Sequence, residues 1–224
     1  MGTVIHAALE NAGGSGEAEL WDEVERRWGD LEFDAGWIER AERRRARELI
    51  TRLARYLRDA EGWGTRLISA EPHFELEVSI EGAAQPVVIS GTIDRVELTA
   101  DGTVVIVDLK TGRSESTSAA AAADNPQLSA YQLAFEAGAI PDTEGYASGG
   151  AKLLVLKQSR GAPYATPTQA PFDDDDRARF LTRIAAAVQV VGGGRFLAPY
   201  ESHCRDDHTY GLCRIHTVGA VSAT

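Results

Sequence analysis

The chain is poor in the features that mark secreted and membrane proteins. Its 224 residues include two cysteines, Cys204 and Cys213, which are too few for a disulfide framework and favour a reducing, cytoplasmic setting. No apolar run approaches the roughly 18 residues of a membrane helix, and no secretory segment follows Met1. These absences predict a soluble globular protein with no membrane partner, most simply folded as one elaborated domain.

Positive charge is also scarce. The 23 lysine and arginine residues face 34 acidic ones, and the formal charge of −11 argues against a general polyanion-binding surface. Only three of the basic residues are lysines: Lys110, Lys152 and Lys157. No Gly-x-x-x-x-Gly-Lys-Ser/Thr phosphate loop occurs, so any ATP-driven motor lies elsewhere. Contact with nucleic acid is therefore expected to be local, with a bound cation supplying positive charge at the phosphate.

The stretch from Gly91 to Gly112 predicts a β-hairpin that carries chemistry. A three-residue loop from Ala100 to Gly102 would place glycine at its left-handed position. That register puts Asp94 opposite Asp108, with Cβ atoms about 4.5–5.5 Å apart. Two like charges at that separation are destabilising unless something positive lies between them, and a divalent cation is the natural occupant.

Lys110 is expected to join these carboxylates. It follows Asp108 by two residues, so the strand period turns its ammonium toward the same face. A compact ammonium can approach a phosphate oxygen or an attacking water, which points to metal-assisted phosphodiester chemistry. The competing interpretation is a solvated hairpin whose charges merely face water, and the hairpin alone leaves both open.

Periodicity and turn signals predict the surrounding elements. Helices are expected at 2–11 with Thr3 as a cap, 20–34, 38–57, 125–138 and 173–191, and strands at 74–80, 87–98, 104–110 and 151–156. The low-complexity stretch 114–123 predicts a mobile linker. Asp173 to Asp176 are interpreted as the acidic start of a helix rather than a metal site, because consecutive helical side chains point in different directions.

The helix predicted at 38–57 and its end concentrate arginine. One buried apolar stripe leaves the other faces to Arg40, Arg43, Arg44, Arg45, Arg47, Arg52, Arg55 and Arg58. A phosphate-tracking surface is one interpretation. The interleaved Glu39, Glu42, Glu48 and Asp59 favour the other, which is a solvated face of ordinary helical ion pairs.

Four stretches follow one another in a recognisable order. They are Gly2 to Glu10, Gly91 to Val96, Ile106 to Gly112 and Gln127 to Tyr131. In this order, with a helix after the hairpin, the chain resembles the RecB-like nuclease domains of the PD-(D/E)XK superfamily. The resemblance implies an α/β fold with a restriction-endonuclease-like core, in which a central mixed β-sheet is flanked by helices. It implies a single nuclease domain over 1–224, with a helical insertion at 15–66, the catalytic sheet and helix at 67–160, and a C-terminal helix with an irregular tail at 173–224.

The resemblance also implies roles for individual residues. The catalytic residues would be Asp94, Asp108 and Lys110, the ligands of Mg²⁺ or Mn²⁺ would be His6, Asp94, Asp108 and the carbonyl of Leu109, and the substrate-positioning residues would be Gln127 and Tyr131. Hard oxygen ligands plus one imidazole suit these ions. Glu71 resembles a glutamate often found before the first core strand of relatives, and it stays outside the predicted set.

The carboxyl end departs from many relatives. They bind an iron–sulfur cluster through four cysteines, which two cysteines cannot supply, so no cluster is predicted. Zinc could in principle bind here, but the spacing fits no standard zinc signature. A former cluster region packed by hydrogen bonds is favoured over a zinc site. The residues concerned are His203, Cys204, His208, Cys213 and His216.

The predicted function is that of a Mg²⁺- or Mn²⁺-dependent deoxyribonuclease of the exonuclease type, acting on single-stranded DNA. Relatives commonly form the carboxyl end of helicase–nuclease subunits that process double-strand breaks in repair and recombination. A helicase motor is therefore expected in the same longer chain or in a partner subunit. The alternative is a catalytically silent nuclease-fold domain that binds DNA or acts as a scaffold in such a complex.

Overall fold

The computed structural model describes residues 1–11, 14, 16–80, 85–157 and 161–193. The elements in chain order are α1 (Gly2–Glu10), α2 (Glu17–Trp28), α3 (Gly36–Gly62), β1 (Arg66–Ala70), β2 (His73–Val78), β3 (Val87–Thr92), β4 (Arg95–Leu98), β5 (Thr103–Lys110), α4 (Ala119–Ala123), α5 (Pro126–Glu136), β6 (Ala147–Val155), β7 (Thr168–Gln169) and α6 (Asp174–Gly192). The chain divides into two compact units, 1–182 and 183–224. The second is described over 183–193.

The first unit is built on a mixed five-stranded sheet. Its strand order is β1-β4-β5-β6-β7, with β5 and β6 parallel and the other neighbours antiparallel. The parallel pair needs a crossover connection, which α4 and α5 supply. Strands β2 and β3 form a separate two-stranded sheet. The predicted α/β fold with a mixed central sheet flanked by helices is confirmed.

Strand β5 is covered on both faces, which explains its nearly continuous apolar sequence. Val107 and Leu109 pack into a core cluster with α1, α2 and α3. Val104 and Ile106 pack into a second cluster with side chains of α5. Because side chains alternate along a strand, the same parity directs Asp108 toward the α5 face.

The predicted hairpin register is confirmed. Arg95 pairs with Val107 and Val96 with Ile106. The Thr99 N–H donates to the Thr103 carbonyl at 2.9 Å, and Gly102 adopts φ +84°. The left-handed conformation is the one that a three-residue hairpin loop requires and that glycine adopts without a Cβ clash. The turn chemistry therefore sets which side chains meet at the open end of the hairpin.

The prediction of one strand over 87–98 is wrong. Strand β3 ends at Thr92 and pairs with β2, whereas β4 begins at Arg95 and belongs to the five-stranded sheet. At the break, the Ile93 N–H donates to the Pro72 carbonyl at 3.1 Å, and the Asp94 carbonyl accepts from the Glu71 N–H at 3.2 Å. These bonds carry the backbone from one sheet to the other, and they place Asp94 in the gap between the two strands.

Strand β1 was not predicted, because Arg66-Leu-Ile-Ser-Ala lacks polar–apolar alternation and its register against β4 shifts between Leu67 and Ser69. Strand β6 begins at Ala147, four residues before the predicted strand. The expected linker contains helix α4, which Ser118 caps by accepting from the Ala121 N–H at 3.2 Å, so the linker prediction is wrong for 119–123.

Helix ends follow local chemistry. Helix α5 starts at Pro126, close to the predicted 125, and Asn125 caps it by accepting from the Gln127 N–H at 2.9 Å. Asp173 accepts from the Asp176 N–H at 2.7 Å, which supports the capping interpretation of the acidic run. Thr3 does not cap α1, because Met1 occupies the N-cap position. Across the described ranges, no helix has both the length and the apolar character needed to cross a bilayer.

Candidate active site

The candidate site lies where β4 begins and β5 ends. Asp94 immediately precedes β4, and Asp108 and Lys110 are in the last three residues of β5. The ladder ends at the pair Arg95–Val107, and the Asp94 carboxylate, one residue further, accepts from the Leu109 N–H next to Asp108. The tight turn at the other end of the hairpin thus brings two carboxylates together at this edge.

Asp108 is buried and incompletely satisfied. Its side chain is 2% exposed, and its Oδ2 atom lies 2.7 Å from Nζ of Lys110. The contact has poor hydrogen-bond angles, so the Lys110 ammonium compensates Oδ2 mainly by its charge. Burial raises the pKa of the Asp108 carboxyl, and the nearby Asp94 charge adds to this, while Lys110 opposes it. The site therefore holds a carboxylate that needs more positive charge than the chain supplies.

Asp94 is held from two sides. Its Oδ1 lies 2.8 Å from Nδ1 of His6, and its Oδ2 accepts from the Leu109 N–H at 2.6 Å. Buried Val4, Ile5 and their neighbours anchor α1 in the core, which presents His6 to the sheet edge. The hydrogen bond to Asp94 raises the pKa of His6, with burial opposing it. The histidine stretch and the hairpin, 88 residues apart in sequence, thus meet in space.

Gln127 and Tyr131 close the other side of the site. Lys110 Nζ donates to Gln127 Oε1 at 2.8 Å, and Gln127 Nε2 donates to the Tyr131 hydroxyl at 2.7 Å. The Tyr131 hydroxyl has Thr92 carbonyl oxygen at 3.2 Å and Asp108 Oδ1 at 3.4 Å as acceptors. Burial and then the Asp108 charge raise the pKa of Tyr131 well above its usual value, so it remains a neutral donor. The polar face of α5 therefore fixes the positions of Lys110 and Asp108.

Glu71 belongs to the same neighbourhood, although it was left outside the predicted set. It adopts φ +48°, an uncommon conformation for a residue other than glycine, and its N–H holds the Asp94 carbonyl. Burial raises its pKa, and the charges of Glu10 and Asp94 add to the effect. Its place ahead of β2 was the only sequence signal for it.

The predicted metal ligands mostly satisfy one another as they stand. Within the described ranges, no group of three His, Cys, Asp or Glu side chains is arranged to enclose a metal ion. Their chemistry nevertheless fits a divalent cation. Asp108 Oδ2 is buried and meets the Lys110 ammonium with poor hydrogen-bond angles, and the Asp94 carboxylate supplies hard oxygen atoms beside one imidazole. The carbonyl of Leu109 faces the same edge as its N–H, because both groups of an extended residue point to one neighbouring strand.

The cysteines and histidines considered for zinc, from His203 to His216, lie outside the described residues.

A mixed sheet flanked by helices, with two aspartates and a lysine at the end of one hairpin, defines a restriction-endonuclease-like nuclease fold. The sequence model of the PD-(D/E)XK nuclease superfamily matches residues 1–214, and the chain belongs to this superfamily. Its members are metal-dependent nucleases, so membership indicates nuclease activity on DNA with a divalent metal such as Mg²⁺.

Among solved structures, that of SSO0001 is similar over 96% of this chain and 86% of that chain, with 12% identity and a TM-score of 0.39. Those values are too low to carry an argument about function. A search of curated proteins finds no match.

Proposed function

We propose that this chain is a Mg²⁺- or Mn²⁺-dependent deoxyribonuclease in which Asp94, Asp108 and Lys110 are the catalytic residues. The observation that carries the proposal is the Asp108 carboxylate, which is buried near Asp94 and whose Oδ2 is compensated by the partly exposed Lys110 alone at 2.7 Å, with poor hydrogen-bond angles, among the described residues. The side chain of Lys110 is 25% exposed and can therefore reach a substrate at the surface. Such an arrangement suits attack on a phosphodiester.

The proposed ligands of the cation are His6, Asp94, Asp108 and the carbonyl of Leu109. A divalent cation, when bound, supplies polarisation of the phosphate and a lower pKa for the attacking water. The ammonium of Lys110 has three N–H donors, and two of them face Asp108 and Gln127. A third remains for the attacking water or for a phosphate oxygen, where it would offset growing negative charge.

Gln127 and Tyr131 are proposed to position the reacting groups. Gln127 accepts from Lys110 and donates to Tyr131, so the amide fixes the direction of the ammonium. Tyr131 in turn donates toward Asp108 Oδ1. Holding catalytic groups in place before substrate binds lowers the entropic part of the barrier.

The finer proposal is a RecB-like nuclease module of the exonuclease type that works with a helicase motor, in the same longer chain or in a partner subunit. Its substrate would be single-stranded DNA produced during double-strand break processing and recombination. Four stretches support it: the histidine helix, the two halves of the hairpin and the Gln127–Tyr131 helix, which the fold brings to one place.

The test is a cleavage assay with purified chain, Mn²⁺ or Mg²⁺, and single-stranded DNA labelled at one end. Asp108→Ala and Lys110→Ala should each abolish cleavage while circular dichroism shows an intact fold. Asp175→Ala, an exposed aspartate in the first turn of α6, is the matched control and should cleave like the unmodified chain. Cleavage that persists in both site variants would overturn the assignment.

A catalytically silent DNA-binding or scaffold domain is the alternative. It would be supported by calorimetry that detects no Mn²⁺ binding in a chain that still binds DNA.

A further inference from the structure

A basic cleft lies at the end of β5 that carries Lys110, between helix α3 and the ends of β5 and β6, on the face of the sheet opposite α5. We call it the α3 cleft, and its volume is about 370 Å³. Five cationic side chains and one carboxylate line it: Arg44, Arg45, Arg52, Arg113, Lys157 and Glu48. In a chain of formal charge −11, this is a strong local excess of positive charge.

Two of the arginines brace the cleft against the sheet. Arg45 donates to the Thr111 carbonyl at 2.6 Å, and Arg52 donates to the Leu156 carbonyl at 3.0 Å. Both also approach a glutamate of their own helix, but at 3.5 and 3.4 Å. The helical ion pairs expected from the sequence therefore form, yet each guanidinium also reaches the end of a strand. Helix α3 is thus fixed beside the residue that follows Lys110.

The other three cations face outward. Arg44 and Lys157 are exposed and form no ion pair with the residues that the structure describes. The side chain of Arg113 is 73% exposed, and its ion pair with Glu42 at 3.2 Å is solvated. Surface ion pairs of this kind contribute little, so Arg113 can exchange its partner at small cost. The mouth of the cleft therefore offers three cations to a ligand.

The cleft begins at the residues that follow Lys110 in the chain. Thr111 and Gly112 line the cleft directly after Lys110, and the Leu156 N–H donates to the Lys110 carbonyl at 3.0 Å. Arg113 is three residues beyond Lys110, hence at most roughly 11 Å away along the chain. A strand that passes the catalytic lysine can therefore continue around the end of β5 to the cleft.

We infer that the α3 cleft holds the sugar–phosphate backbone of the DNA strand next to the scissile bond, with Arg44, Arg113 and Lys157 as its phosphate contacts. The inference rests on the proposed function for its ligand. Guanidinium groups suit phosphate because their fork of donors matches two oxygens at once. Since bases are not needed for such contacts, the cleft binds strands without regard to sequence.

The experiment measures binding separately from cleavage. Fluorescence anisotropy of a labelled 20-nucleotide oligo(dT) is followed in EDTA at several KCl concentrations, for the unmodified chain and for the triple variant Arg44→Ala/Arg113→Ala/Lys157→Ala. The matched control is Arg58→Ala/Arg66→Ala/Arg179→Ala, which removes three exposed cations outside the cleft. Circular dichroism melting checks that both variants fold.

The cleft variant should bind at least tenfold more weakly at low salt. The slope of log affinity against log[KCl] is negative and should become shallower by about 2, near 0.7 for each lost contact to a single strand. The control should change affinity less than twofold. Equal effects of the two variants, or no binding by the unmodified chain, would overturn the inference. If free inorganic phosphate displaces the oligonucleotide at a concentration equal to that of the oligonucleotide phosphates, the inference would also be overturned, since the cleft would then be a small-anion site.

The two proposals fail separately. If the unmodified chain cleaves DNA but the cleft variant and the control bind it equally well, the inference about the α3 cleft is wrong and the nuclease proposal stands. If the cleft variant binds more weakly but no form of the chain cleaves DNA, the α3 cleft is a DNA-binding site and the nuclease proposal is wrong.

Discussion

Strands β4 to β6 carry two carboxylate–cation clusters of similar composition and opposite character. One is the candidate site around Asp108. The other, here called the Glu97 cluster, consists of Glu97, Arg95, Lys152 and Tyr56. Glu97 is 0% exposed and accepts from Arg95 Nε at 2.7 Å, from Lys152 Nζ at 2.9 Å, and from the Tyr56 hydroxyl at 2.7 Å. Every partner that the Glu97 carboxylate needs is supplied by the chain itself.

The difference shows in the pKa values of the two acids. Burial alone would raise both. For Glu97, Lys152 and Arg95 outweigh burial and hold the pKa below its usual value. For Asp108, Lys110 and the weaker effect of His6 do not outweigh burial, and the pKa is raised. We call the Glu97 cluster closed, because cations of the chain itself compensate its buried carboxylate. We call the candidate site open, because the Asp108 carboxylate is incompletely compensated and a bound cation would lower its pKa.

The largest contrast is expected from paired amide substitutions. Asp108→Asn removes the proposed metal-binding charge, and cleavage should fall about 10²–10³-fold or more. Its melting temperature should hold or rise, since a poorly satisfied buried charge has been removed. Glu97→Gln should keep its cleavage rate per folded molecule. Initial rates below the melting transition of each variant measure this, and loss of cleavage in Glu97→Gln alone would reverse the roles given to the two clusters.

Glu97→Ala should be strongly destabilising. It leaves Lys152 and Arg95 buried without their acid, and breaking a buried pair by removing one partner costs about 3–5 kcal/mol. Thermal unfolding should report a decrease of roughly 6–20 °C in melting temperature. Adding Lys152→Met should restore part of the loss. A double variant no more stable than Glu97→Ala would show that Lys152 is not coupled to Glu97.

Lowering the pH should remove the contribution of the Glu97 cluster to the free energy of unfolding. Because the folded pKa of Glu97 lies below the unfolded value, its stabilising contribution is complete above about pH 4.3 and is lost as the pH falls through the folded pKa. Urea midpoints from pH 7 to pH 3 should therefore converge for the unmodified chain and Glu97→Gln at the acid end. A constant gap between them would mean that Glu97 does not titrate in this way.

The smallest effects should come from the two tyrosines. Tyr131→Phe removes the hydroxyl that accepts from Gln127 at 2.7 Å and has Thr92 and Asp108 as acceptors at 3.2 and 3.4 Å, so cleavage should fall about tenfold or less, and stability by about 1 kcal/mol. Tyr56→Phe removes a short bond to a buried carboxylate and should lower stability by about 1.5–3 kcal/mol with cleavage unchanged. Calorimetry and initial rates measure both, and the reverse pattern would contradict the division into open and closed clusters.

Sequence reasoning succeeded where the signal was local. The Ala100–Gly102 loop predicted the register of the hairpin, and the helix predicted from 125 starts at Pro126. It failed at Ile93 and Asp94, where bonds to Pro72 and Glu71 divide an apparently continuous strand between two sheets. Those partners lie more than twenty residues upstream, and no local pattern reports them. The Glu97 cluster was missed for the same reason, since Tyr56 and Lys152 come from distant elements.

By itself, the sequence determined the nearly continuous apolar run of β5, the turn that pairs β5 with β4, and the placement of Asp94 before β4 with Asp108 and Lys110 near the end of β5. These follow from side-chain period and turn chemistry, which act over a few residues. Only the tertiary structure decided that His6, Gln127 and Tyr131 meet those residues. It also decided that cations compensate the charge of Glu97 more fully than that of Asp108, and that α3 forms a basic cleft at the end of β5. Burial and charge pairing depend on what the whole chain packs around each group, and packing joins residues that no local pattern relates.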